Sequence, residues 1–259
     1  MGRTQDNLFR CTAGLYDLDE RSVTKDDIDF YRKQAAGLAG GILELACGTG
    51  RVSIPLAVAG NEVWGIDLSK EMLAEMTAKI QELPAAVQNR LHVFHADMTK
   101  FALEKTFSLI IIPFRGFQAL ISNEQQGACL AAVYRHLADD GRFIIDVFRP
   151  YARLDEAWVQ PETLDWELVD PKTGNTVRRT SIRRKIDVEE QIIYPELVYD
   201  VHEQGTIRRL VEPLALKYYY EDQIRNLLTA YGFTIEDEMG YYDGRPISEG
   251  PELIFICKK

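Results

Sequence analysis

The sequence predicts an α/β chain in which a doubly wound, mostly parallel seven-stranded sheet carries an inserted antiparallel β-sheet. Three observations carry that expectation. Strand-like and helix-like stretches alternate from residue 40 onward; a glycine-bearing loop follows the first strand at once; and the alternation breaks between residues 161 and 213, where short β-branched and charged stretches take over. Helix and strand then return, so the break reads as an insert in one domain. The 259 residues are long for one compact core and short for two, which agrees.

Each element has its own signal. Residues 41–46 (GILELA) are apolar enough for a buried strand, and residues 61–67 (NEVWGID) form the second. Ser69 is the N-cap of a helix whose Met72, Leu73, Met76, Ile80 and Leu83 recur at helical spacing until Pro84. Residues 91–95 are the third strand, and 107–112 (FSLIII) read as a central parallel strand covered on both faces. Ser122 and Gln125 make a capping-box pattern for a helix to about Ala138, followed by a turn at Asp140-Gly141 and a fifth strand at 142–148. The insert contributes strands at 176–188, 191–202 and 206–216, with Asn175 and Gly205 in turns. Ile224, Leu227, Leu228 and Tyr231 mark a closing helix stopped by Gly232, before strands at 233–239 and 253–257. A helix from Thr24 or Lys25 to Leu38 precedes the core. The expected organisation is an N-terminal cap (1–40), a core (41–150 and 217–259) and the insert (151–216).

Composition narrows the partners. With 30 Lys and Arg against 40 Asp and Glu, the net charge of −10 gives no general attraction to nucleic acid or anionic lipid. No apolar run reaches the roughly 18 residues of a membrane span. The first ten residues are polar, without a signal-peptide core, and Asp6 stands where a myristoylation motif has Ser or Thr. Cys11, Cys47, Cys129 and Cys257 lie far apart with no Cys/His cluster, so neither a disulfide framework nor a metal site is expected, and the expected compartment is the cytoplasm.

The chemistry concentrates in Glu44-Leu45-Ala46-Cys47-Gly48-Thr49-Gly50-Arg51. Gly48 and Gly50 permit tight turning and close approach of a ligand to the backbone. Asp67 closes the second strand, where a carboxylate can accept both hydroxyls of a ribose. Both features in register indicate nucleoside binding. The dinucleotide fingerprint is incomplete, since Ser53 stands at its third small position, and Glu44 would repel a pyrophosphate but suits a cation. A cationic, phosphate-free nucleoside fits better.

ELACGTGR, followed by GIDLSKEML and HADM, resembles the class I S-adenosylmethionine-dependent methyltransferases, in particular their small-molecule, N-methyltransferase-like branch. The resemblance covers the core and implies the Rossmann-like methyltransferase fold, with S-adenosyl-L-methionine as cofactor. Ala46 departs from the glycine many members carry and narrows the loop. By this resemblance Glu44 and the Ala46, Cys47, Gly48 and Gly50 backbone contact the amino-acid part of the cofactor, and Asp67 holds the ribose. Leu68 and Met72 flank the adenine, Asp97 and Met98 cap its edge, and Tyr16, Tyr31 and Phe114 complete the cofactor site. Arg115, Gln118, Arg149 and Tyr151 leave strands toward the same crevice and are candidates for contacting substrate. The insert would roof the site as a lid, bring Tyr194, Tyr199 and Tyr218 to Tyr220 near the acceptor, and offer a homodimer surface.

His92, His95, His136 and His202 read as structural, and no catalytic base is assigned. An amine acceptor needs only to be neutral when it attacks, so nitrogen is favoured over oxygen. The insert's basic pairs (Arg178-Arg179, Arg183-Arg184, Arg208-Arg209) are balanced by acids and read as a solvated face of cross-strand ion pairs. An NAD(P)-dependent oxidoreductase and a non-catalytic nucleoside-binding protein remain the alternative readings, the first opposed by Glu44 and the missing third small residue.

Overall fold

The computed structural model describes residues 8–21 and 24–259; the Met1-Gly2 and Asp6 readings lie outside them. The core strands are β1 (Ile42–Leu45), β2 (Val63–Asp67), β3 (Leu91–His95), β4 (Phe107–Ile112), β5 (Leu137–Phe148), β11 (Thr234–Met239) and β12 (Glu252–Lys258). They form one seven-stranded sheet in the order β11-β12-β5-β4-β1-β2-β3. Strands β1 to β5 pair in parallel, whereas β12 runs antiparallel to both β5 and β11. The order reverses beside β1, the switch point where ligands of open α/β sheets bind.

Helices cover both faces: α1 (Asp26–Ala35), α2 (Ser53–Val58), α3 (Lys70–Gln81), the single turn α4 (Ala85–Gln88), α5 (Asn123–His136) and α6 (Glu221–Ala230). Period-two alternation splits the strand residues between two cores. Leu43, Ile110 and Ile145 pack toward α5 and α6, and Ile42, Ile111 and Ile144 toward α1 and α2. The expected caps form. Ser69 Oγ accepts the Met72 N–H at 3.2 Å, and Ser122 and Gln125 close their capping box. Gly232 ends α6 with φ 90°, a backbone state that favours glycine.

The insert is a five-stranded antiparallel sheet of β6 (Gln160–Val169), β7 (Thr176–Asp187), β8 (Ile192–Glu203), β9 (Thr206–Pro213) and β10 (Leu216–Lys217). Strand β8 carries β7 on one edge and both β9 and β10 on the other. Three sequence expectations need correction. Strand β6 was not among the predicted strands. The turn expected at Asp140-Gly141 is instead an irregular stretch inside β5, whose pairing with β4 jumps from Leu137 to Arg142. The N-terminal helix ends at Ala35, three residues before Leu38, where the chain turns through Gly37 at φ 76°.

Candidate functional site

A cavity of about 1420 Å³ opens at the carboxyl ends of β1, β2, β4 and β5, floored by the core and walled by the N-terminal segment and the inner face of the insert. The loop after β1 is its tightest part. Ala46, Gly48 and Gly50 all take positive φ (58°, 54° and 79°). Their glycines serve different ends. A Cβ on Gly48 would stand 3.2 Å from Met72 Cε in the cavity wall, whereas one on Gly50 would strike Met76 Cγ at 2.8 Å in the packing against α3.

Asp67 holds this loop. Its Oδ2 accepts the Gly48 N–H at 2.8 Å and its Oδ1 accepts the Ser69 N–H at 2.7 Å, so one carboxylate joins β1's loop to α3's cap. Burial raises the Asp67 pKa against the pull of these backbone hydrogen bonds. Glu44, 2% exposed on β1, also lines the cavity, and burial pushes its carboxyl up to about 8 although the Ser53 hydroxyl donates to it.

The remaining walls gather most of the residues expected from sequence. Leu68 and Met72 stand on one side, with Asp97 and Met98 beyond them and Cys47 contributing from the loop. Tyr16 is half-buried in the N-terminal wall, edge-on to Phe9 at 5.4 Å between ring centroids. Phe114 and Arg115 take successive left-handed conformations (φ 48° and 68°), which lay the loop after β4 over Ala46; a Cβ on Gly116 would meet the Ala46 Cβ at 3.0 Å. Arg149 and the exposed Tyr151 edge the mouth.

Two expected site residues lie elsewhere. Tyr31 is fully buried in the core and donates to Asp146 Oδ2 at 2.6 Å, tying α1 to β5. Gln118, also fully buried, donates to the Lys217 carbonyl at 2.7 Å and accepts the Phe148 N–H at 3.0 Å, sewing the insert's two ends to the loop after β4. Among the insert's expected aromatics only Tyr199 reaches the cavity. Tyr218 and Tyr219 pack in hydrophobic clusters, and Tyr194 and Tyr220 are not in the cavity wall.

Other contributors carry no local sequence signal. Arg51, behind the glycine loop, clamps Asp27 at the start of α1 through two 2.6 Å contacts, with its guanidinium 4.9 Å from the Phe114 ring centroid. Asp17 accepts from Thr49 Oγ1 at 2.6 Å and Lys79 Nζ at 2.7 Å, anchoring the N-terminal segment to the loop and to α3. On the other side Arg179 donates to Asp19 at 2.6 Å and Asp165 at 3.1 Å, and Thr12 donates to Glu212 at 2.8 Å. The N-terminal segment therefore bridges core and insert. Arg179 is 7% exposed and corrects the expectation that the insert's arginines are solvated. Arg184 with Glu196, and Arg208 with Glu203, do form exposed cross-strand pairs. His136 is structural, its ring nitrogens engaging the Ala132 carbonyl and the Leu103 N–H. Among the described residues no acidic, His or Cys group could hold a metal ion, and no helix is long and apolar enough to cross a membrane.

A glycine cradle at the switch point with a strand-end carboxylate beside it is the arrangement by which doubly wound sheets bind nucleosides. Residues 42–141 match the model of the methyltransferase-domain family. The chain is 28% identical over 258 residues to dTDP-3-amino-3,6-dideoxy-alpha-D-glucopyranose N,N-dimethyltransferase of Streptomyces fradiae, covering 92% of this chain and 89% of that one. The CcbJ methyltransferase of Streptomyces caelestis shares the fold with a TM-score of 0.81 at 21% identity, over 99% of both chains. CalS10, an amino pentose methyltransferase from Micromonospora echinaspora with S-adenosylmethionine bound, gives 0.68 at 22% identity over 94% of each. The family model and these relatives support a class I S-adenosylmethionine-dependent methyltransferase of the small-molecule branch.

Proposed function

We propose that this enzyme transfers a methyl group from S-adenosyl-L-methionine to the nitrogen of a small-molecule amine. The observation that carries this reading is the Asp67 carboxylate, fixed by the Gly48 and Ser69 amides in the wall of the same cavity that the buried carboxyl of Glu44 lines. That arrangement suits a ribose beside a cation, and Arg51, the basic residue behind the glycine loop, is engaged by Asp27. The relatives support the acceptor class, since the Streptomyces fradiae protein is named an N,N-dimethyltransferase of an amino sugar.

The residues divide the work. Asp67 would take the ribose hydroxyls, Glu44 and the amides of Ala46 to Gly50 the amino-acid part, and Leu68 and Met72 the faces of the adenine, with Asp97 and Met98 at its edge. Tyr16 and the loop carrying Phe114 would enclose the reacting end. When bound, the cofactor supplies a methyl activated by a sulfonium, so the protein chiefly aligns the acceptor and excludes water. The insert provides the roof: both its ends, at Phe148 to Leu154 and at Leu214 to Leu216, border the cavity, and its inner face adds Thr163, Ser181 and Arg183. Its exposed Leu164, Val169 and Ile207 make it the surface to test for a homodimer, by sedimentation of wild type against Ile207→Lys.

The decisive experiment incubates the protein with S-adenosylmethionine and a panel of amines, amino acids and amino sugars, and follows formation of the demethylated product. Acceptor-dependent release is expected. Failure of S-adenosylhomocysteine to bind, measured by calorimetry, would end the assignment.

A further inference from the structure

Strand β12 runs against β5, so its first residue, Glu252, sits opposite Phe148 at the carboxyl end of β5. Glu252 lines the cavity although its side chain is only 3% exposed. Its Oε2 has no hydrogen-bond partner among the described residues. The facing cation is a poor match. Arg115 Nη2 lies 3.9 Å from Oε1, its Nε is also unpartnered, and its guanidinium rests 5.5 Å from both the Phe114 and Phe148 ring centroids. The other groups around this corner are Asp146 on β5, Asp27 on α1 and Tyr242 in the turn before β12. Asp146 Oδ1 and the Tyr242 hydroxyl likewise lack partners. A buried carboxylate so sparsely paired is costly, and the acids behind it add no positive charge. The corner is built for a cation that brings its own N–H donors.

Resting on the methyltransferase reading, we propose that Glu252 is the carboxylate that receives the acceptor's ammonium group and takes the proton that must leave its nitrogen before methyl transfer. The ammonium gives one proton to the Glu252 carboxylate, leaving a neutral amine and a carboxylic acid. The nitrogen lone pair then forms the N–C bond while the C–S bond breaks and its electron pair stays on sulfur. A methylated ammonium and a neutral thioether result, and Glu252 returns its proton to water at the cavity mouth. Burial, opposed by Arg115, raises the Glu252 carboxyl to about 7, where a base both holds and releases a proton near neutral pH.

Sinefungin, which carries an amine where the cofactor carries its methyl sulfonium, places an ammonium at the transfer position without needing the acceptor's identity. Its affinity relative to S-adenosylhomocysteine, by calorimetry at pH 8 and pH 6, isolates that ammonium, because both compounds share the amino-acid end. In wild type the ratio should fall at least severalfold between pH 8 and pH 6, as Glu252 is protonated. In Glu252→Gln at pH 8 it should fall about tenfold, roughly 1.4 kcal/mol, while S-adenosylhomocysteine affinity stays within twofold. If S-adenosylhomocysteine binds but the ratio is independent of both pH and the substitution, the role of Glu252 is overturned. If it does not bind wild type, the methyltransferase reading itself fails. Should the variant not fold, the wild-type pH series decides alone.

Discussion

On the proposed assignment of Glu44 to the cofactor's amino-acid end, cofactor binding is a proton-release reaction. Desolvation holds the Glu44 carboxyl at about 8 in the ligand-free protein, with Ser53 donating to it. At pH 7 about nine-tenths of the molecules therefore carry a proton there. A ligand whose cationic amino-acid end pairs with Glu44 must expel it. With the ligand's own amino group also titrating near pH 8, binding of S-adenosylhomocysteine at pH 7 should release about 0.8 proton net, and affinity should rise about twenty-five-fold from pH 6 to pH 8. Above pH 8 the ligand's own amino group, with a pKa of about 8, loses its charge and the gain stops. Calorimetry in buffers of different ionisation enthalpy counts the proton directly, and Glu44→Gln should abolish both the release and the slope. The sign for folding is opposite. Glu44's folded pKa lies above its ordinary 4.5, so its stabilising contribution is full below that value. It declines as pH rises toward 8, by at most about 1.4 kcal/mol per pH unit. Ligand-free protein should therefore lose stability over that window while ligand-bound protein does not. Proton release near zero at pH 7, with affinity flat in pH, would refute the pairing.

Three further outcomes follow from the same geometry. Asp67→Asn removes a carboxylate that accepts two backbone amides and should weaken S-adenosylhomocysteine binding about ten- to a hundredfold, roughly 1.5–3 kcal/mol, with a lower melting temperature even without ligand; unchanged calorimetric affinity would contradict the ribose role. Ala46→Gly should raise ligand-free stability by about 1 kcal/mol in urea unfolding, because φ 58° is strained for any residue with a Cβ; a lower midpoint would show that the methyl's packing outweighs the strain. Replacing residues 161–216 by a short Gly/Ser linker should abolish turnover but leave S-adenosylhomocysteine affinity within severalfold, since Asp17 still anchors the N-terminal segment to Thr49 and Lys79. Retained turnover would defeat the lid role, and loss of cofactor binding would make the sheet structural.

How much was legible in the sequence depended on the distance over which each feature is determined. Strands β3 and β4 fall at the predicted residues because each is a short run dominated by apolar residues, and the caps at Ser69 and Ser122 are settled within four residues. Strand β6 escaped because QPETLDWELV opens on a polar, proline-bearing stretch and only Leu164 to Leu168 alternates with period two; it is a strand because β7 offers it an edge. The start of β5 was obscured in the same way, since Leu137 joins the sheet only by pairing with Phe107.

The site divides along that line too. The residues from Glu44 to Gly50 and Asp67 are readable because one βα turn and the next strand end carry them. Tyr31 and Gln118 were expected in the crevice for a sound reason, as their elements do border it. The sequence tells which element reaches an edge, but not which way each side chain turns. Both turned inward because a buried partner awaited them: the Asp146 carboxylate for the tyrosine, and the Lys217 carbonyl with the Phe148 amide for the glutamine. Arg51 with Asp27, Arg179 with Asp19, and Glu252 beside Arg115 are meetings between distant segments, created by the topology alone. Such contacts join the N-terminal segment, the core and the insert around one cavity. The proposed cofactor half of the site is accordingly written in a local motif, whereas the proposed acceptor half emerges only when the sheet has closed.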